Sequence, residues 1–155
     1  MTTDTRPDAF LQIGEAAERT QLTQRTLRYY EEKGLLASPT RMDGGFRLYS
    51  HGDLERLERI KTFKELLGFS LAEIKEMLDA EDVRLQIRAE WDRDADVNEK
   101  AAKLRVSKAM TLKQIGLIDE KMAKMATTRQ ELIERVERYD SFLAQWLEPI
   151  PAANG

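Results

Sequence analysis

Gln24, Arg25 and Arg28 fall within a turn and a half of one another if the segment after Thr23 is helical, and they are the residues best equipped for recognition. A guanidinium grips guanine through two parallel hydrogen bonds or holds a phosphate, and a glutamine amide reads adenine in the same bidentate way. On that helix Leu27 and Tyr30, three residues apart, turn inward and leave the polar residues outside. A second cationic group stands at Arg41 and Arg47, on either side of Gly44-Gly45, where missing side chains let the backbone approach a groove or a phosphate closely. From Arg19 to Arg47 six basic residues face three acidic ones, a local +3 in a chain of net charge -3 and pI near 5.4. Residues 79–99 carry eight acids against Arg84, Arg88 and Arg93, a local -5. Such a contrast orients a protein on a polyanion even when its total charge is negative. A solvated surface without a partner has the same charge counts, so position has to decide between them.

Other chemistry is sparse. The absence of cysteine excludes thiolate zinc sites, iron-sulfur clusters, disulfides and cysteine nucleophiles, and a single histidine removes most catalytic dyads and imidazole metal clusters. That histidine, His51, directly follows a helix cap, which reads as an exposed position rather than a ligand. Met110, Met122 and Met125 read as apolar seam residues before soft-metal ligands, because two of them sit at heptad positions. Asp92 and Asp96 stand at helical spacing, yet no glycine-rich phosphate loop or positioned nucleophile accompanies them. The sequence is read as no enzyme, with no cofactor and no metal.

The elements that hold these groups are marked by punctuation. Pro7, Gly14, Gly34, Pro39, Gly44, Gly45, Gly52 and Gly68 crowd the first half, after which only Gly116 intervenes before Pro149. Short elements joined by turns are expected up to about Leu78, then long helix. Ile13–Arg19 reads as a short helix, Thr20-Gln21-Leu22 as a turn, and Thr23 as the cap of a helix running to Gly34. This is the spacing of a helix-turn-helix, whose second helix offers its N-terminal residues to base edges. Phe46-Arg47-Leu48-Tyr49 alternates like a strand after the break at Pro39 and Gly44-Gly45, so the loop between is placed as a wing. Ser50 with Asp53, and Ser70 with Glu73, are capping boxes, flanked by the staples Tyr49/Leu54 and Phe69/Ile74. The helix after Ser50 shows one stripe, Leu54, Leu57, Ile60 or Lys61, and Leu67, ended by Gly68.

The second half carries a heptad seam of Ile115, Ile118, Met122, Met125, Arg129, Leu132, Val136, Tyr139, Leu143 and Trp146, polar only at Arg129. A helix from Ile115 to Trp146 would be about 48 Å long and cannot bury that stripe alone, so a partner helix is required. Glu and Lys or Arg fill the flanking positions, as wet flanks of a coiled coil demand. Toward the N-terminus the register meets Thr111, Lys108, Leu104, Ala101 and Val97, and the seam weakens.

The 155 residues, 41% apolar and 34% charged, suit one domain with an appendage and long solvated helical surfaces. No apolar run approaches the ~18 residues of a membrane span, and Met1–Leu11 contains two aspartates and no apolar signal core, so no membrane partner and a cytoplasmic location are expected.

Ile13-Gly14-Glu15-Ala16-Ala17, Arg25-Thr26-Leu27-Arg28-Tyr29-Tyr30-Glu31 with Gly34-Leu35-Leu36, Gly45-Phe46-Arg47-Leu48-Tyr49 and Leu66-Leu67-Gly68-Phe69-Ser70-Leu71-Ala72-Glu73-Ile74 together resemble the MerR family of bacterial transcription regulators. The resemblance covers about Leu11–Leu78 in unbroken order, and the long seam fits the family's dimerisation helix by pattern. Phe46 stands where tyrosine is usual, which removes a hydroxyl from the wing. The resemblance implies a mainly α fold, a winged helix-turn-helix followed by a long helix in an antiparallel coiled coil. It also implies a homodimer on a pseudo-palindromic site in double-stranded promoter DNA, controlling RNA polymerase on the same promoter by distorting the duplex. Carried over to this sequence, Arg25, Arg28 and Tyr29 match the recognition helix, Arg47 and Tyr49 the wing, Gly14 a backbone phosphate contact and Lys61 a third-helix phosphate contact. With Thr23, Gln24 and Arg41 these make up the expected DNA-binding set. Ile115, Ile118, Met122, Met125, Leu132, Val136, Tyr139, Leu143 and Trp146 make up the expected dimerisation set.

Expected boundaries are 11–78 for the DNA-binding domain, 79–110 for a helical linker or effector region, 111–147 for the dimerisation helix and 148–155 for a flexible tail. Family members that sense metals or oxidants use cysteines near the end of the dimerisation helix, and this sequence has none. Members that bind drugs carry a large C-terminal domain, against nine residues after Trp146 here. What is left for an unidentified or absent small-molecule effector is the stripe Val83, Ile87 and Trp91, which reads as a small helix closing a pocket or as plain core. Two rival readings stay open: an architectural or excisionase-like protein that bends DNA without regulating polymerase, and a helical interaction protein for which Arg25 and Arg28 are dispensable.

Overall fold

A computed structural model describes residues 10–37, 40–41 and 44–147. The expected tail 148–155 and Pro39 lie outside the described residues. The chain divides into two units, Met1–Thr111 and Leu112–Gly155.

Unit one begins with strand β1, Leu11–Gln12, which leads straight into helix α1, Ile13–Thr20. Helix α1 ends because Gln21 turns left-handed at φ 56°, so that Leu22 N–H donates to the Ala17 carbonyl and Gln21 N–H to that of Glu18. Buried Thr20 adds its own hydroxyl bond to the Ala16 carbonyl at 2.7 Å. Three residues later α2, Gln24–Glu32, starts on Thr23, whose Oγ1 accepts from Thr26 N–H at 3.1 Å. It stops in the same way as α1, with Gly34 at φ 73° and Leu35 N–H donating to the Tyr30 carbonyl.

Strands β2, Thr40–Arg41, and β3, Arg47–Tyr49, complete a three-stranded antiparallel sheet in the order β1-β3-β2. Leu11 faces Tyr49 and Arg41 faces Arg47 across it. The expected hairpin therefore gains a third strand from the residues before α1, a pairing no local pattern marks. Helix α3, His51–Lys61, opens on a complete capping box of Ser50 and Asp53. A π-helical turn, Thr62–Leu66, follows it, with Leu67 N–H donating to the Thr62 carbonyl. That extra residue rotates the chain by about one position, roughly 100°. Leu67 consequently leaves the stripe expected of it, while Leu57 and Ile60 are fully buried and Phe69 takes the place below, edge-on to Phe63.

Helix α4, Leu71–Ala89, starts on Ser70, whose hydroxyl accepts from Glu73 N–H, and buries Ile74, Met77, Leu78 and Ala80 against the helices before it. The core of unit one is thus Leu27, Tyr30, Leu35, Tyr49, Leu57, Ile60, Ile74 and Leu78. Helix α5 spans Val97–Leu147. The span expected to be a helical linker or effector region, 79–110, completes α4, crosses a short loop and enters α5. Asp92 and Asp96 are in that loop rather than on a helix. Asp96 Oδ1 accepts from Asn98 and Glu99 N–H and so caps α5, while Asp92 Oδ1 accepts from Asp94 N–H, since short carboxylates compete with helix for the backbone donors.

Unit two is the remainder of α5 among the described residues. Every residue of the expected seam is on this one helix, and none of α5 is buried. No helix among the described residues is long and apolar enough to cross a membrane.

Candidate nucleic-acid interface

The two-turn arrangement of α1 and α2 fixes what α2 offers to solvent. Leu27 and Tyr30 are buried to 0% and 1% exposure, so the residues at other phases of the helix, Gln24, Arg25, Arg28 and Tyr29, stand exposed. Packing, not charge, sets this face, because rotating α2 would bring a guanidinium into the core at a cost of several kcal/mol. Thr23 is exposed too, but its hydroxyl is engaged with Thr26, 2.8 Å from Oγ1 and 3.1 Å from the amide. Gly14 lies exposed in the first turn of α1, and a Cβ there would meet Gln24 Nε2 at 3.6 Å. The N-cap residue of α1, Gln12, makes no side-chain cap bond to that first turn.

The wing is tied to the recognition helix by charge. Arg47 Nε is 3.0 Å from Glu31 Oε2, with the arginine side chain 21% exposed. Partner and position are sixteen residues apart, and nothing in the spacing announces the pair. Gly44 and Gly45 both have positive φ, 98° and 84°, which places Phe46 at the tip in solvent. Arg41 lies opposite Arg47 in the ladder; its backbone alone is described.

Two residues of the expected set are engaged within the fold. Tyr49 is 1% exposed and belongs to the core, since its partner in the sheet is buried Leu11, so it cannot touch a duplex from the wing. Burial pushes its hydroxyl pKa up, with Glu31 adding to the rise, and among the described residues the hydroxyl has no hydrogen-bond partner. Lys61 is also committed internally. Its ammonium donates to the Thr20 carbonyl at 2.6 Å, at the C-terminus of α1, and lies 3.7 Å from Glu58. A helix end carries negative partial charge, so this contact of the lysine supports the fold of the two-helix unit.

Lys33 was not expected in the interface, yet its ammonium lies 5.6 Å from the centre of the exposed Tyr29 ring, one helical turn away. Lysine four residues after an aromatic was the legible signal. His51 is exposed, 3.3 Å from Glu55.

Geometrically, the exposed amide and two guanidiniums of α2, the first turn of α1 at Gly14 and the wing arginine, paired with Glu31, make one cationic, donor-rich surface. Such a surface suits phosphates and base edges of a duplex.

Comparison with known proteins agrees. Residues 11–81 match the family model described as MerR HTH family regulatory protein. The HTH-type transcriptional regulator YfmP of Bacillus subtilis is 38% identical over 124 residues, 79% of this chain and 88% of that one. ZntR of Escherichia coli, also an HTH-type transcriptional regulator, is 46% identical over 66 residues, and the chain spans about half of it, 46%. Among solved structures, MtaN, the N-terminus of the B. subtilis multidrug transporter activator, superposes with a TM-score of 0.52 at 32% identity, covering 86% of this chain and 97% of that one.

Proposed function

The chain belongs to the MerR family and is a transcriptional regulator of that type, and from this premise we propose that it acts as a homodimer on a pseudo-palindromic promoter site. Each winged helix-turn-helix takes one half-site, and the α5 helices of the two copies pair in an antiparallel coiled coil that fixes the spacing between them. The exposed Gln24-Arg25-Arg28-Tyr29 face of α2, opposite buried Leu27 and Tyr30, is the observation that carries this reading. Arg25 and Arg28 read bases or clamp phosphates, Gln24 reads a base, and Tyr29 with Lys33 lies along the backbone. Thr23 fixes the start of α2 so that those groups enter the groove. The amides around Gly14 hold a phosphate, and Arg41 and Arg47 bring the wing onto the neighbouring strand.

Ile115, Ile118, Met122, Met125, Leu132, Val136, Tyr139, Leu143 and Trp146, all exposed on one helix, supply the apolar seam that a second copy covers. With the two modules held at one separation, a site of different length is accommodated by bending and twisting the duplex. Control of polymerase on the same promoter follows from that deformation, and the protein works in the cytoplasm without catalysis of its own.

The test is direct. Genomic fragments bound by the purified protein define the site, and fluorescence anisotropy then measures affinity for it. Arg28→Ala and Arg25→Ala should each weaken specific binding by about 1–3 kcal/mol where the residue holds a base. Unchanged affinity in both variants would remove α2 as the reading helix.

A further inference from the structure

Arg84, Ile87, Arg88, Trp91, Leu104 and Ser107 line an open groove of about 300 Å³ between the end of α4 and the first turns of α5, all within the first unit. Two lysine tethers that no sequence pattern marks lie beside it. Lys103 of α5 donates to the Glu90 carbonyl at 3.0 Å, and Lys100 donates to the Arg93 carbonyl, so the loop after α4 is fastened to α5 and Trp91 is held over the gap. The floor is apolar, made by Ile87, Leu104 and the indole of Trp91. The polar groups of the lining side chains, two guanidiniums, a hydroxyl and the indole N–H of Trp91, can all donate, and none is a carboxylate. Arg88 makes no ion pair among the described residues. Arg84 gives Nε and Nη2 to Glu81 and keeps Nη1 outside that fork.

We propose that this groove is a binding site for a small aromatic carboxylate. Its volume sits at the lower end of small-ligand sites, which suits one or two fused rings and excludes a helix or a peptide with bulky side chains. The ring lies on Trp91 between Ile87 and Leu104, and the carboxylate meets Arg88, with Arg84 Nη1 second, in the paired geometry that guanidinium groups offer. A cation of the same shape would face two positive charges there.

The groove also has a route to the DNA-binding module. Glu81 Oε1 is shared between Arg84 of α4, at 2.5 Å, and Arg59 of α3, at 2.9 Å. A carboxylate held at Arg84 Nη1 draws that guanidinium toward the groove and weakens its fork with Glu81, leaving Glu81 more to Arg59, which changes how α4 is held on α3. This regulatory half rests on the reading of the chain as a DNA-binding regulator; the site itself does not.

Calorimetric titration of the intact protein with 2-naphthoate, with 2-naphthylmethylammonium as its cationic counterpart, tests the site without DNA. Naphthoate should saturate at one equivalent per chain and shift the indole N–H signal of Trp91, assigned by its loss in Trp91→Phe. Arg88→Gln should weaken binding at least tenfold, and Leu104→Trp, which fills the groove, should abolish it. Equal binding of the ammonium compound, undiminished binding by Arg88→Gln, or no saturable binding of naphthoate would overturn the proposal. In a second arm, naphthoate should change affinity for the selected promoter fragment at least threefold in wild type and not in Arg88→Gln. Ligand binding with unchanged DNA affinity would refute the coupling alone, whereas a protein that binds naphthoate and no promoter fragment would refute the regulator reading.

Discussion

Glu81→Gln should destabilise the protein by about 2 kcal/mol at neutral pH, and the difference from wild type should vanish in acid. Glu81 is 7% exposed, and its carboxylate takes a two-pronged hydrogen bond from Arg84 and an ion pair with Arg59 at 2.9 Å. These partners, the Arg84 bond foremost, outweigh the cost of burial and lower its pKa from 4.5 to about 2. At roughly 1.4 kcal/mol per tenfold change, that corresponds to about 3 kcal/mol. The Arg59 and Arg84 side chains are 45% and 36% exposed, so solvent screening reduces the figure to about 2 kcal/mol. Because the folded protein binds this proton more weakly than the unfolded chain, the contribution is full above the unfolded value of 4.5 and is lost as pH falls from there through about 2. Urea unfolding followed by helical circular dichroism, at one fixed protein concentration and at pH 7, 4.5, 3 and 2, measures the gap between wild type and variant. A gap that stays constant to pH 2, or no gap at pH 7, would refute the assignment of Glu81 as the charged link between α3 and α4.

Lys61→Met should cost about 1–2 kcal/mol, the value of a charged hydrogen bond at a helix C-terminus, and leave the salt dependence of DNA binding unchanged. If instead the slope of log K against log salt falls by about 1, the lysine holds a phosphate after all. Ile118→Glu combined with Met125→Glu places charges in the seam and should yield monomers in sedimentation equilibrium; an intact dimer would discard the seam as the interface. Leu57→Ala, at a position with no exposure, should lower stability by about 2–5 kcal/mol in the same urea assay, and a loss under 1 kcal/mol would contradict the core described for the first unit.

What the sequence determined by itself is whatever is encoded within a few residues. Thr23, Ser50 and Ser70 cap the helices they precede because a hydroxyl three residues before an amide has a single good partner, and Gly34 ends α2 because a left-handed residue is cheap there. Leu27 and Tyr30 define the buried side of α2, and the exposure of Gln24, Arg25 and Arg28 follows from helical period alone. The heptad run on α5 is legible for the same reason. Tertiary structure alone decided the rest. Lys61 finds Thr20 across 41 residues, Arg47 finds Glu31 and Tyr49 sinks under Leu11, each through packing of elements distant in sequence. A single π-helical turn shifts the phase after Thr62 and moves Leu67 off the stripe that a regular helix would give it. The groove beside Trp91 brings residues of α4 and α5 together next to a loop that two lysines of α5 fasten, and the phase of side chains along either helix carries no record of that. Periodicity fixes which way a residue faces on its own element, whereas the group that meets it is chosen by where other elements come to rest.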